Sequence, residues 1–285
     1  MAWDTKYWDI LDQLYWWPRY SGLRSISQMH WERSNGRISV PEEMVNQLGP
    51  LYSRERKADE LREYLLGSEE ILNHLFDLTF AIAPDAVIRE LFLTPFGFED
   101  DGNFESIGRE TAARYGWGKS ENITQHDGLF ISDRTAVAVE LKLSSASWPE
   151  QIAKYVAILA WEELALGRKN DLGLLFIVPQ KATAGHWKKC GLDGPVIDTG
   201  WLNRRWSKGL PKSIERLFDQ EPEAVNSVID RLQLQAISWS DLYVKLDRIL
   251  GSLVQKDPGQ QTLYRLIKGF LSQLQKHRET GIQHI

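Results

Sequence analysis

The sequence predicts an α/β fold: a mixed β-sheet core flanked by helices, with helical extensions at both ends of the 285-residue chain. Three observations predict it. Residues 135–143 alternate, with Val137, Val139, Leu141 and Leu143 on one face and Ala136, Ala138, Glu140 and Lys142 on the other. That is the two-residue side-chain period of a strand. Residues 172–178 (LGLLFIV) are apolar on both faces, which suits a central strand covered on both sides. Around these runs lie apolar stripes at helical spacing.

In chain order, residues 1–67 form a helical, polar-aromatic extension. Leu11, Leu14 and Tyr15 repeat at helical spacing before Pro18, and Asn35-Gly36 marks a turn. The charged run Arg54-Glu55-Arg56-Lys57 reads as a solvated helix face. Residues 68–218 hold the core. An amphipathic helix over 68–82 carries Ile71, Leu72, Leu75, Phe76 and Phe80 as its stripe. Residues 86–93 fit helix or strand, Asp100-Asp101-Gly102 is a turn, and 104–115 is a short helix or a strand. Residues 127–132 form the partner strand of 135–143. If Asp133 and Arg134 make the whole turn, Ser132 faces Thr135, Phe130 faces Val137, and Asp127 faces Glu140.

A helix follows at once. Ser147 is a candidate N-cap, Pro149 lies in the first turn, and Gly167 ends it. After the strand at 172–178 come a short helix at 182–190 and a candidate edge strand at 195–199. Residues 219–285 read as a helical segment. It carries a capping box from Ser238 to Asp241 and two helices paired across Asp257-Pro258-Gly259.

Composition narrows the function classes. Hydrophobic residues make up 42%, enough for a sizeable core. No apolar run is long enough to span a bilayer, and MAWDTKYWDI lacks a signal-peptide pattern. The single cysteine, Cys190, excludes a disulfide framework and a thiolate zinc site. A soluble cytoplasmic protein with no membrane partner is expected. The net charge of −5 means that any polyanion must be met by a local basic surface. Such a surface lies after the 172–178 strand, with Lys181, His186, Trp187, Lys188 and Lys189, then Arg204, Arg205, Trp206 and Lys208. Cations interleaved with aromatic rings suit phosphate contact and base stacking. The chain has 12 tryptophans, and helix packing is the plainer reading of most of them.

Asp127, twelve residues, Glu140-Leu141-Lys142, and then Gln151-Ile152-Ala153-Lys154-Tyr155 form a pattern. It resembles the PD-(D/E)XK nuclease superfamily, and the trailing Gln-x-x-x-Tyr is similar to the branch that includes the nuclease domains of helicase–nuclease repair enzymes. His126 stands where that motif has proline. The resemblance covers about 30 residues, and its weight lies in the conjunction of hairpin, shared polar face, helix and Gln-x-x-x-Tyr. Glu-x-Lys alone also fits a surface ion pair.

The resemblance implies a restriction-endonuclease-like core over 68–218 and Mg²⁺-dependent phosphodiester hydrolysis, with Mn²⁺ able to substitute. Asp127 and Glu140 would share the metal, and the Leu141 carbonyl would add a ligand. Lys142 would act on the attacking water and on charge developing at the phosphate. Gln151 and Tyr155 would position water or phosphate, reaching over a solvent-reachable pocket. A further acid is expected before the hairpin. Glu110 is the first choice, with Glu105, Glu90 and Glu70 as alternatives. Lys188, Lys189, Arg204, Arg205 and Lys208 would contact nucleic acid, DNA rather than RNA. The chemistry does not name the biological role, so defence, restriction, repair and recombination stay open, as does assembly as a homodimer or in a larger protein complex. The alternative is a non-catalytic nucleic-acid-binding or assembly subunit on the same fold.

Overall fold

The computed structural model describes residues 69–107, 126–143, 148–197, 200–201, 209–254, 257–277 and 280–282. The expected extension over 1–67, and with it the N-terminal tryptophans, lies outside the described residues. The chain divides into two units, Met1–Ile71 and Leu72–Ile285, and the second holds the sheet.

The fold is α/β, with a five-stranded mixed sheet flanked by helices. Helix α1 (Glu69–Ala81) buries Leu72, Leu75, Phe76 and Phe80, as its periodicity predicts. The ambiguous stretch after it is helical. Helix α2 (Asp85–Ile88) runs into a π turn (Arg89–Leu93) and a 3₁₀ turn (Thr94–Phe96). Strand β1 (Glu105–Ser106) is short and pairs antiparallel with β2 (Gly128–Ile131).

Strands β2 and β3 (Thr135–Leu141) form the expected hairpin, with Phe130 opposite Val137 and Gly128 opposite Val139. One further step along this register sets Asp127 opposite Glu140. Ser132 makes the turn. Its Oγ accepts the backbone N–H groups of Arg134 and Thr135, at 3.1 and 2.9 Å. Its own N–H donates to the Thr135 carbonyl at 2.9 Å.

Helix α3 (Pro149–Leu166) crosses over to β4 (Asp171–Val178), which lies parallel to β3. Short helical turns end in α4 (His186–Lys189), and helices α5 (Lys212–Gln220) and α6 (Pro222–Arg231) follow. They lead into β5 (Leu232–Ser238), parallel to β4. This strand corrects the expectation of an all-helical segment over 219–285. Leu232 and Leu234 are buried while Gln233 is exposed, which is strand alternation. No strand forms over 195–197, and residues 198–199 lie outside the described residues.

Helices α7 (Trp239–Ser252) and α8 (Pro258–Lys276) close the chain. Ser238 and Asp241 make the predicted capping box, and Asp257 caps α8. The side-chain amide of Gln275, near the end of α8, donates to the Tyr243 hydroxyl near the start of α7 at 2.7 Å. The pair is therefore antiparallel, as expected.

Both faces of the sheet are covered. Ala136, Ala138, Leu172, Leu174 and Phe176 pack under Ile152, Val156 and Leu159 of α3. On the other face, Phe130 stacks on Phe92 and meets Phe80 edge-on, and Phe80 reaches Phe270 of α8. Two glycines allow this close approach. A Cβ at Gly128 would come within 2.9 Å of the Phe76 ring, and one at Gly173 would meet Phe96 at the same distance.

Candidate active site

The polar ends of β2, β3 and α3 converge. Period-two alternation puts Glu140 and Lys142 on the α3 side of β3, and the hairpin register brings Asp127 alongside. The Glu140 and Lys142 side chains form an ion pair, Nζ to Oε1, at 2.5 Å. Pro149 starts α3 directly above. Two residues on, Gln151 serves two groups: its Oε1 accepts the Trp148 N–H at 3.2 Å, and its Nε2 donates to Glu140 Oε1 at 2.6 Å. Trp148 is thus the N-cap position rather than Ser147, which lies outside the described residues. The Tyr155 hydroxyl, four residues further, donates to Glu140 Oε2, and it lies 3.2 Å from the Val139 carbonyl.

Gln151 and Tyr155 therefore clamp both oxygens of Glu140 and cover it from above. Asp127, Glu140 and Lys142 are only 6, 5 and 7% exposed. The expected open pocket is instead a nearly enclosed cluster, because the first turn of α3 sits on the strand end. Burial, followed by the charges of Glu140 and Asp127, holds the Tyr155 phenol well above its ordinary value of 10.0. Tyr155 stays protonated and can only donate to its carboxylate.

Asp127 is bound from within the sheet and from the opposite layer. Its Oδ2 accepts the Leu141 N–H at 2.8 Å, and its Oδ1 accepts Asn73 Nδ2 of α1 at 2.5 Å. Leu141 thus brings its backbone to the site while its side chain is buried in the sheet core. The Lys142 carbonyl accepts the indole N–H of Trp239, the first residue of α7, at 2.9 Å.

Sequence reasoning missed Asn73 and Trp239. Asn73 did leave a signal: it lies three and seven residues before Phe76 and Phe80, a polar residue within an apolar stripe. Trp239 left none beyond its place after a capping box.

Of the other candidates, Glu110, Arg204, Arg205 and Lys208 lie outside the described residues. Glu105 sits on β1 and Glu90 on the π turn, where it lines a groove with Arg89, Glu99, Asp101 and Arg134, away from the cluster. Lys188 and Lys189 are exposed. His186 is buried against Phe176, a correction to its place on that surface. Burial, then the charges of Lys189 and Lys142, push it down to about 4, so it is neutral at pH 7. Cys190 is buried 3.6 Å from His186 Nε2.

The donor set suits a hard divalent cation. Asp127 and Glu140 supply carboxylate oxygens, and Mg²⁺ takes one or two carboxylates while keeping water. Among the described residues no group of three or more His, Cys, Asp or Glu side chains gathers into a cage. None of the helices among the described residues is long and apolar enough to cross a membrane. The chain matches no protein-family model, no curated protein and no solved structure.

Proposed function

We propose that this chain is a metal-dependent nuclease of the PD-(D/E)XK type that hydrolyses phosphodiester bonds in DNA, acting in the cytoplasm in defence, restriction or repair. One observation carries the reading: Asp127, Glu140 and Lys142 converge at the end of β3 under Gln151 and Tyr155. The strand–strand–helix–strand order around them supports it.

Asp127 and Glu140 would hold Mg²⁺, with the Leu141 carbonyl beside them. The cation would supply a water of lowered pKa and neutralise phosphate charge. Lys142 would hold the attacking water and stabilise the negative charge that grows on the phosphate oxygens. Gln151 and Tyr155 keep Glu140 in one orientation. In this structure their hydrogen bonds run to Glu140, and from that place they would position water or phosphate. Lys188 and Lys189, with Arg204, Arg205 and Lys208, would hold the DNA backbone.

A second reading, a non-catalytic nucleic-acid-binding or assembly subunit on the same fold, draws on the near-enclosure of the cluster. A cleavage assay with Mg²⁺ or Mn²⁺ on single- and double-stranded DNA separates the two. The nuclease reading expects cleavage by wild type and its loss in both Lys142→Ala and Asp127→Ala. Lys142→Ala should still be stabilised by metal, while Asp127→Ala should lose metal response and activity together. Undiminished cleavage by Lys142→Ala would place the activity elsewhere. No cleavage by wild type on DNA or RNA would favour the binding subunit.

A further inference from the structure

Asn73 does more than fill the α1 interface. Its side chain is 6% exposed, and while Nδ2 donates to Asp127, its Oδ1 has no hydrogen-bond partner among the described residues. A buried carbonyl oxygen left in this way is costly, and such exceptions mark places where an ion or water belongs. The orphaned oxygen sits on the same amide that grips the Asp127 carboxylate.

The placement is built. Phe76, one turn after Asn73, lies so close to Gly128 that a Cβ there would come within 2.9 Å of its ring. Phe80 meets Phe130 edge-on two residues further along the same strand. Helix α1 is thus seated on the strand that follows Asp127, and the seat delivers Asn73 to the carboxylate. Since Asp127 Oδ2 is engaged by the Leu141 N–H, Oδ1 is the oxygen that Asn73 shares. A carboxamide has donors at one end and an acceptor at the other, and a half-turn exchanges them.

Resting on the nuclease reading above, we infer that Asn73 is a ligand of the site: its amino end holds Asp127, and its oxygen serves a divalent cation bound by Asp127. A neutral oxygen suits this position. Asp127 and Glu140 already place two like charges in a buried cluster, and a third carboxylate would repel both. Carbonyl oxygens are accepted beside carboxylates by Mg²⁺ and Mn²⁺.

The test uses the full chain and Mn²⁺ alone. Binding is read by titration calorimetry, and the metal-induced rise in melting temperature is read beside it, for wild type, Asn73→Leu, Asn73→Asp and Asp127→Asn. Wild type should bind Mn²⁺ and Asp127→Asn should not. Asn73→Leu should bind about tenfold or more weakly, at least the scale on which outer-shell partners of metal ligands matter. Asn73→Asp should melt below wild type without metal and show a larger metal-induced rise. If Asn73→Leu binds Mn²⁺ as tightly as wild type while Asp127→Asn does not, Asn73 is only a brace and the metal reading stands. Should Asn73→Leu fail to fold, a metal-induced rise in Asn73→Asp no larger than in wild type overturns the proposal. If wild type binds no Mn²⁺, the proposal and the nuclease reading fall together.

Discussion

Glu140 takes Lys142 and Gln151 on one carboxylate oxygen and Tyr155 on the other. A buried carboxylate is tolerated only when its oxygens are satisfied, so each donor holds the fold as well as the site. Tyr155→Phe removes the phenol donor and leaves Oε2 short of a partner. It should destabilise the protein by about 1–3 kcal/mol, read by denaturant titration. On the proposed nuclease reading the phenol would act through Glu140, and kcat should fall more than KM changes. A Tyr155→Phe protein as stable as wild type would mean that this hydrogen bond contributes little. At this scale the sequence is informative about residues that share a strand face or a helix turn. Glu140 and Lys142 are two apart on β3, and Gln151 and Tyr155 are four apart on α3. Asn73 comes from 54 residues before Asp127, and no periodicity links the two.

The hairpin turn shows how elements are held together. Ser132 Oγ, which makes the turn, donates to Asp100 Oδ2 at 2.5 Å, and the Gly102 N–H donates to Asp100 Oδ1 at 2.8 Å. The Lys169 ammonium donates to the Ser132 carbonyl at 2.8 Å, tying the end of the α3–β4 connection to the same turn. Arg231 joins the Lys169 carbonyl to the Glu163 carboxylate and so fastens the end of α6 to α3. Burial alone would raise the Asp100 pKa, but the hydrogen bonds from Ser132 and Gly102, with the charge of Arg134, outweigh it and hold the carboxyl below its ordinary 3.8. A carboxyl with a lowered folded pKa stabilises the protein fully above its unfolded value and loses that contribution as pH falls through the folded value. Asp100→Asn should therefore melt below wild type at pH 7, by about 1–3 kcal/mol of stability. The gap should narrow as pH drops below 3.8. A gap that stays constant with pH would show that the charge of Asp100 is not what matters. Among elements, β5 was misread although LQLQ alternates, because leucine and glutamine also form helices well and helices flank the run.

For the whole molecule, a net charge of −5 opposes nonspecific binding to a polyanion, so on the proposed nuclease reading affinity for DNA would come from one basic region. Replacing Arg204 and Arg205 by alanine should weaken DNA binding and flatten its salt dependence, by roughly 0.9 in log–log slope for each phosphate no longer neutralised. Turnover at saturating substrate should persist. Measurement of Kd across a salt series decides it, and an unchanged slope would move the DNA surface away from this region.

The sequence by itself determined the features that repeat over a few residues. These are the strand alternation of β3, the register of its hairpin once the turn is taken as two residues, the helix that sets Gln151 and Tyr155 on one face, and the cap at Ser238. Each rests on local geometry, a period of two or 3.6 or a turn of fixed length, which a short stretch of chain specifies alone. Only the tertiary structure decided that Asn73 meets Asp127, that the Trp239 indole holds the Lys142 carbonyl from 97 residues away, and that 232–238 joins the sheet beside β4. Those contacts arise where packed layers bring distant elements together, and they depend on how the faces of α1, α7 and the sheet fit rather than on any local repeat.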